Sequence, residues 1–176
     1  VELVEALHSL SPSADSAYYL GILKDKAGNT TEAITFYEES LKLETDTYRK
    51  AEIMYKIASK LKKRGLKSQA RKYANQALSN KPSMGKAYIL IAGLYADSAN
   101  DCGNNQFEKQ AVYWLAAQTA RRAASVDPSL KKTSQKLEAS YSGRAPSKTD
   151  IFTQGKAGEV ITFDCWIRSS VTVPNL

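Results

Sequence analysis

Apolar positions along this chain recur at helical spacing and are broken at intervals by short polar turns. Leu3, Ala6, Leu7 and Leu10 form one helical stripe, which Ser11-Pro12-Ser13 breaks. A helical pair follows over residues 14–46, turning at Gly28-Asn29, where glycine takes a left-handed backbone at no steric cost. A second pair over 52–82 turns at Gly65. A third opens with the apolar run Ala87 to Ala96 and is interrupted near 97–110, where Ser98 to Asn105 has loop composition. The helix beyond, about 106–126, ends at Asp127-Pro128. Leu130 to Tyr141 offers one more helix, polar enough on one face to cap an open stack.

After Gly143 to Pro146 the period changes. Ser147 is placed to cap a short helix, with Asp150 near its positive end, and Gly155 and Gly158 stop it. Val160 to Ile167 alternates, setting Ile161, Phe163, Cys165 and Ile167 on one face of a strand. A turn at Arg168-Ser169-Ser170 would lead to a second strand at Val171 to Val173. An isolated hairpin is marginal in water, so this tail is expected to pack on the last helices.

The helical pairs share one arrangement of small and aromatic residues. It runs Leu20-Gly21, Ala33 to Tyr37 and Ser40-Leu41 in the first, then Ile57-Ala58, Ala70, Tyr73, Ala77-Leu78 and Pro82 in the second. The third has Ile91-Ala92, Tyr95, Ala116, Ala120, Ala123 and Pro128. Small residues fall where two antiparallel helices would cross closely. This pattern resembles the tetratricopeptide repeat (TPR) family, helix–turn–helix units of about 34 residues. The resemblance covers residues 14–128, with departures. Ala33 to Ala70 spans 37 positions, the extra ones expected in the linker around Thr45-Asp46-Thr47. Ala70 to Ala116 spans 46, an insertion of about 12. Ala17, Met54 and Tyr88 stand where the family has tryptophan.

The implied fold is mainly α, a TPR-type helical solenoid of antiparallel helix pairs. Residues 1–13 would be the remnant helix of a preceding repeat, 129–142 a capping helix, and 143–176 a small β-hairpin-like appendage. One unit cannot bury its apolar face alone, so such units stack. Ala99 to Gly103, Ala111 to Trp114, Asp127 to Ser129 and Asp164 to Ile167 further resemble the C-terminal part of TPR-containing envelope proteins of Bacteroidetes. That implies a longer parent chain in the cell envelope or periplasm of a Gram-negative bacterium. The amphipathic opening at Val1 fits this expectation, with any signal segment outside the sequence.

The resemblance also implies a function: a non-enzymatic scaffold or adaptor that binds a peptide or protein partner on its concave face. The family lines that face with the first helix of each repeat. Here those positions include Tyr18, Ile22 and Lys26, then Tyr55, Ser59, Lys62 and Lys63, then Lys86 and Ile89. One TPR subclass grips the C-terminal carboxylate of chaperones with Lys and Asn in its first repeat; Tyr18 and Ile22 take those places, so that clamp is absent.

Charge sharpens the choice of partner. The chain carries +7 overall, but residues 1–52 carry −5, residues 53–96 carry +10 with no acidic group, and residues 97–176 carry +2. A basic block of this kind attracts an acidic partner from a distance. The alternative is nucleic acid or another polyanion bound through residues 53–96. Lysine outnumbers arginine there and no base-reading motif accompanies it, which weighs against nucleic acid.

Other chemistries find little material. His8 is the sole histidine, expected as a solvated or capped side chain at a helix edge, and with two cysteines it makes neither a catalytic triad nor a structural zinc site. No phosphate-cradling glycine motif appears, so neither metal nor cofactor is expected. The longest apolar run is half the length of a membrane-spanning helix. Cys102 and Cys165 have two equal readings, a disulfide tying the tail to the inserted loop or, for Cys165, a small buried apolar residue.

Overall fold

A computed structural model describes residues 2–176; Val1, the first residue of the expected N-terminal helix, lies outside them. Among the described residues are nine α-helices and one two-stranded sheet. They fall into two compact units, Val1–Pro82 and Ser83–Leu176.

The first unit holds α1 (Glu2–Leu10), α2 (Ala14–Lys26), α3 (Thr30–Leu43), α4 (Thr47–Lys63) and α5 (Lys67–Asn80). Helix α2 pairs with α3 and α4 with α5, each pair joined by a turn with glycine at positive φ, 83° at Gly28 and 74° at Gly65. Ser13 starts α2 through a reciprocal capping box with Ser16, and Asp46 starts α4 by accepting from the Arg49 N–H. Helix crossings are made by small residues: Ala17, Ala33, Ala58, Ala70 and Ala77 have no exposed surface. Gly21 serves the same end, since a Cβ there would lie 2.6 Å from the ring of Tyr37, which is itself fully buried. Only glycine lets that ring lie against α2.

Two expectations for this unit need correction. The extra residues after the first pair do not lengthen a linker: Thr47 is already helical, and α4 runs 17 residues against 13 in α2. The Asp46 cap and the absence of any breaker let the helix begin early. Of the solvated and capped readings of His8 the solvated one fails: the residue is 9% exposed, because Ser16 and Glu39 reach it from α2 and α3.

The second unit holds α6 (Gly85–Ala96), α7 (Gln106–Val126), a single 3-10 turn (Pro128–Leu130), α8 (Lys131–Ser142), α9 (Lys148–Gln154), β1 (Val160–Phe163) and β2 (Ser169–Thr172). Helix α7 is the spine, packed by α6 and by α8. The strands pair antiparallel in the register Ile161 with Val171 and Phe163 with Ser169. Their apolar face, with Ile151, Ile167 and Val173, closes over Phe107, Val112 and Leu115 of α7.

The tail differs from the expected strands. β1 ends at Phe163, the chain turns through Asp164 to Ile167, and Ser169-Ser170 belong to β2 rather than to the turn. Two side-chain bonds draw the chain out of the extended path. Cys165 is joined to Cys102 with Cα atoms 5.6 Å apart, and the Trp166 Nε1–H donates to Ser98 Oγ at 3.1 Å. Arg168 turns the corner with φ of 43°.

Candidate partner-binding site

The expected face in the first unit is built by α2 and α4, which present side chains to each other at three levels. Near the start of both helices the Arg49 guanidinium bonds the Asp15 carboxylate, and that bond holds Arg49 above its ordinary pKa. One turn on along α2 and two along α4, the Lys56 ammonium lies over the Tyr18 ring, 5.8 Å from its centre. At the far end Lys60 Nζ donates to Asp25 Oδ2 at 2.5 Å. The acidic first repeat and the basic second repeat thus neutralise one another across the face. Within the second repeat, Lys81 is 3.1 Å from Glu52.

Arg49 is held a second way. Glu44 folds back after α3, its Oε1 accepting from the N–H groups of Thr45 and Asp46. Its other oxygen is 3.1 Å from Arg49 Nε, in ion-pair range but without hydrogen-bond alignment. The guanidinium is therefore fixed in place before any partner arrives.

Between these rungs lies a small pocket of about 140 Å³ lined by Tyr18, Arg49, Glu52 and Ile53. Its size is several water volumes of about 30 Å³ each, room for one side chain. Tyr18 forms its wall, half-buried, with the Tyr37 ring centre 5.6 Å behind it. The wall combines apolar area with fixed charges of both signs, which suits an amphipathic side chain rather than a bare hydrocarbon.

The expected site residues distribute unevenly around this pocket. Tyr18 lines it. Ile22, Tyr55, Ser59 and Lys62 are half-buried on the two helices, and burial, then the Glu52 charge, raises the Tyr55 phenol pKa. Lys26 and Lys63 are exposed at the helix ends. Lys86 and Ile89 are half-buried on α6 of the second unit. The repeat positions did not single out Arg49, Ile53 or Lys56. For Lys56 the opposite charges of residues 1–52 and 53–96 were the available signal; Arg49 lies within the acidic segment and Ile53 carries no charge, so neither had one.

His8 Nδ1 lies 2.7 Å from Ser16 Oγ and Nε2 lies 3.2 Å from Glu39 Oε1, a Ser-His-Glu series by distance. Ser16, however, is 7% exposed and its oxygen also accepts from the Ser13 N–H in the capping box. The series anchors α1 to α2 and α3. Among the described residues no group of three or more His, Cys, Asp or Glu side chains is placed to hold a metal ion. No described helix is long and apolar enough to cross a membrane.

No family model matches the chain. Photosystem I assembly protein Ycf3 of Cyanophora paradoxa is 33% identical over 110 residues, covering 57% of this chain and 64% of that protein. The chain therefore spans a little under two thirds of that relative's length. The Ycf3 protein of Cuscuta gronovii is 29% identical over 112 residues, 58% of this chain and 67% of its own. Among solved structures, the TPR2B domain of yeast Sti1 in complex with pHsp70 superposes with a TM-score of 0.59 at 20% identity, over 74% of this chain and 97% of that one. The TPR domain of Arabidopsis OM64 gives 0.59 at 19% identity, over 74% and 95%. These likenesses show TPR-type helix pairs, to which this structure adds a small C-terminal two-stranded sheet.

Proposed function

We propose that the chain is a non-enzymatic scaffold or adaptor, and that its first unit binds an extended segment of a protein partner along α2 and α4. The observation that carries this reading is the pocket of Tyr18, Arg49, Glu52 and Ile53, a one-side-chain socket on the face where TPR domains take their partners. TPR domains generally mediate protein–protein interaction, and the Ycf3 relatives are assembly proteins, which supports the same class of function. Tyr18 and Tyr55 supply rigid aromatic area, the kind of residue that dominates interface energy. Lys62 and Lys63, in the last turn of α4, select a segment carrying Asp, Glu or a free carboxylate.

Polyanion binding through residues 53–96 gains no specific support. Lys60 and Lys81 are engaged by Asp25 and Glu52, which weakens the field available to phosphates. We place the work of the chain in an oxidising compartment, an envelope or periplasm; the Cys102–Cys165 disulfide favours this setting.

The test is a phage-displayed peptide library panned on the full chain, followed by binding kinetics of an enriched peptide. Tyr55→Ala should speed dissociation with little effect on association, whereas Lys62→Ala with Lys63→Ala should chiefly slow association. Tyr18→Ala should resemble Tyr55→Ala. If all three variants bind as the parent does, the α2–α4 face is not the site. Salt-sensitive DNA binding with no peptide enriched would move the assignment to a polyanion.

A further inference from the structure

The insertion that departs most from the repeat period builds a second cavity, in the second unit and independent of the α2–α4 face. It has a volume of about 480 Å³, and its walls include Asn100 from the inserted loop, Lys109, Gln110 and Tyr113 from α7, Arg144 after α8, and Asp150 of α9. That volume lies within the usual range for small-molecule sites, roughly 300–1,000 Å³.

The charges in this cavity are unevenly satisfied. Among the described residues Lys109 makes no ion pair and no side-chain hydrogen bond, and Arg144 has no carboxylate partner. The Arg144 guanidinium rests over the Tyr113 ring, 5.7 Å from its centre, so its planar fork is oriented without being consumed. Asp150 is different. Its Oδ2 accepts from both the N–H and the hydroxyl of Ser147, at 2.8 and 2.6 Å, and these bonds hold its carboxyl below the usual carboxylate range. The lining therefore offers two cations against one anion already committed to a helix cap. A single negative charge balances that set, whereas a phosphate approaching two charges would meet Asp150. The side-chain amides of Asn100 and Gln110 provide both donors and acceptors for the rest of a ligand.

The cavity is also fixed in advance. The loop that supplies Asn100 is anchored by the Cys102–Cys165 bond and by Ser98, whose hydroxyl donates to Leu94 O at 2.9 Å and accepts from Trp166. Asn105 caps α7 by accepting from the Glu108 N–H, which fixes the start of the helix carrying Lys109, Gln110 and Tyr113. A site ordered before binding spends less of its interaction energy on ordering.

We propose that this cavity binds a small carboxylic acid, its carboxylate held between Lys109 and Arg144 and its other polar groups met by Asn100 and Gln110. A free amino acid and the free C-terminus of a short peptide share this chemistry. Calorimetric titration of the full oxidised chain distinguishes them, using the free amino acids, a tripeptide with a free C-terminus, the same tripeptide as its C-terminal amide, and inorganic phosphate. Binding of either carboxylate source at roughly millimolar concentration or below supports the proposal, and which source binds identifies the ligand type. Amidation should weaken the tripeptide, and Lys109→Gln and Arg144→Gln should each weaken any carboxylate ligand, about tenfold or more, with Lys109→Arg restoring most of the loss. A melting midpoint unchanged in Lys109→Gln separates lost binding from lost structure. Absence of binding by every carboxylate probe, equal binding of the amide, tighter binding of phosphate, or indifference to Lys109→Gln would overturn it.

Discussion

The two units reach stability by different routes. The first is held by repetition: alanines at helix crossings, Gly21 under the Tyr37 ring, and ion pairs that join an acidic repeat to a basic one. The second abandons the period. It inserts a loop, lengthens α7 to 21 residues, and fastens a β tail over that helix with a disulfide and a tryptophan hydrogen bond. A repeat gains its core from a neighbouring repeat, whereas an insertion must bring its own staple. The same division separates the two candidate sites. One lies on the helices of successive repeats, the other is built largely by the departure from them.

The sharpest way to break this comparison is to remove the staple. Cys102 and Cys165 are 63 residues apart, and in the chain-entropy model closing a loop of that length stabilises by about 4 kcal/mol. Cys102→Ala with Cys165→Ala should therefore lower stability by about that amount, with the loss confined to the second unit. Hydrogen exchange reads this directly: amides of α6, α7 and the strands should exchange faster, while those of α2 to α5 keep their protection. Equal loosening in both units would mean that they do not behave as separate constructions.

The corresponding change in the first unit is overpacking. Ala70 has no exposed surface, and Ala70→Leu should cost roughly 1–3 kcal/mol by forcing apart a crossing built for a methyl group. The denaturant midpoint should fall with little change in slope. An unchanged midpoint would show that the register assigned to the second repeat is wrong.

These contrasts also explain what could be read from the residues alone. The helix pairs of the first unit were legible because their signals are local: turn glycines at 28 and 65 and alanines at helical spacing; the cap at Asp46, which starts α4 early, was not read from the residues. The end of β1 was not legible, because what stops it is the partner of Cys165 on a distant loop. The burial of His8 was not legible for the same reason, since Glu39 reaches it from 31 residues away. At the candidate site, repeat positions located Tyr18 but not Arg49. The importance of Arg49 comes from Asp15 and Glu44, two carboxylates brought to it by chain turns on either side of α3.

The smallest expected effect tests how the first unit treats its buried tyrosines. Burial pushes Tyr37 up to about 12, with the Asp25 charge adding to it. Burial and the bond to Glu38 push Tyr73 up to about 12 as well. In the unfolded chain both ionise near 10, so between the two values the folded state holds more protons than the unfolded one. The stability they contribute is complete below pH 10 and is lost as pH rises toward about 12. The two hydroxyls differ at neutral pH. Tyr73 donates to Glu38 Oε1 at 2.8 Å, whereas the Tyr37 hydroxyl is buried with no hydrogen-bond partner among the described residues. Tyr73→Phe should then cost about 1 kcal/mol, while Tyr37→Phe should be neutral or slightly stabilising because it removes an unpaired polar atom. Both variants should flatten the alkaline fall in the denaturant midpoint. A Tyr37→Phe variant that loses as much as Tyr73→Phe at neutral pH would show that the Tyr37 hydroxyl has a partner, and that this crossing is held by more than the fit of a ring over Gly21.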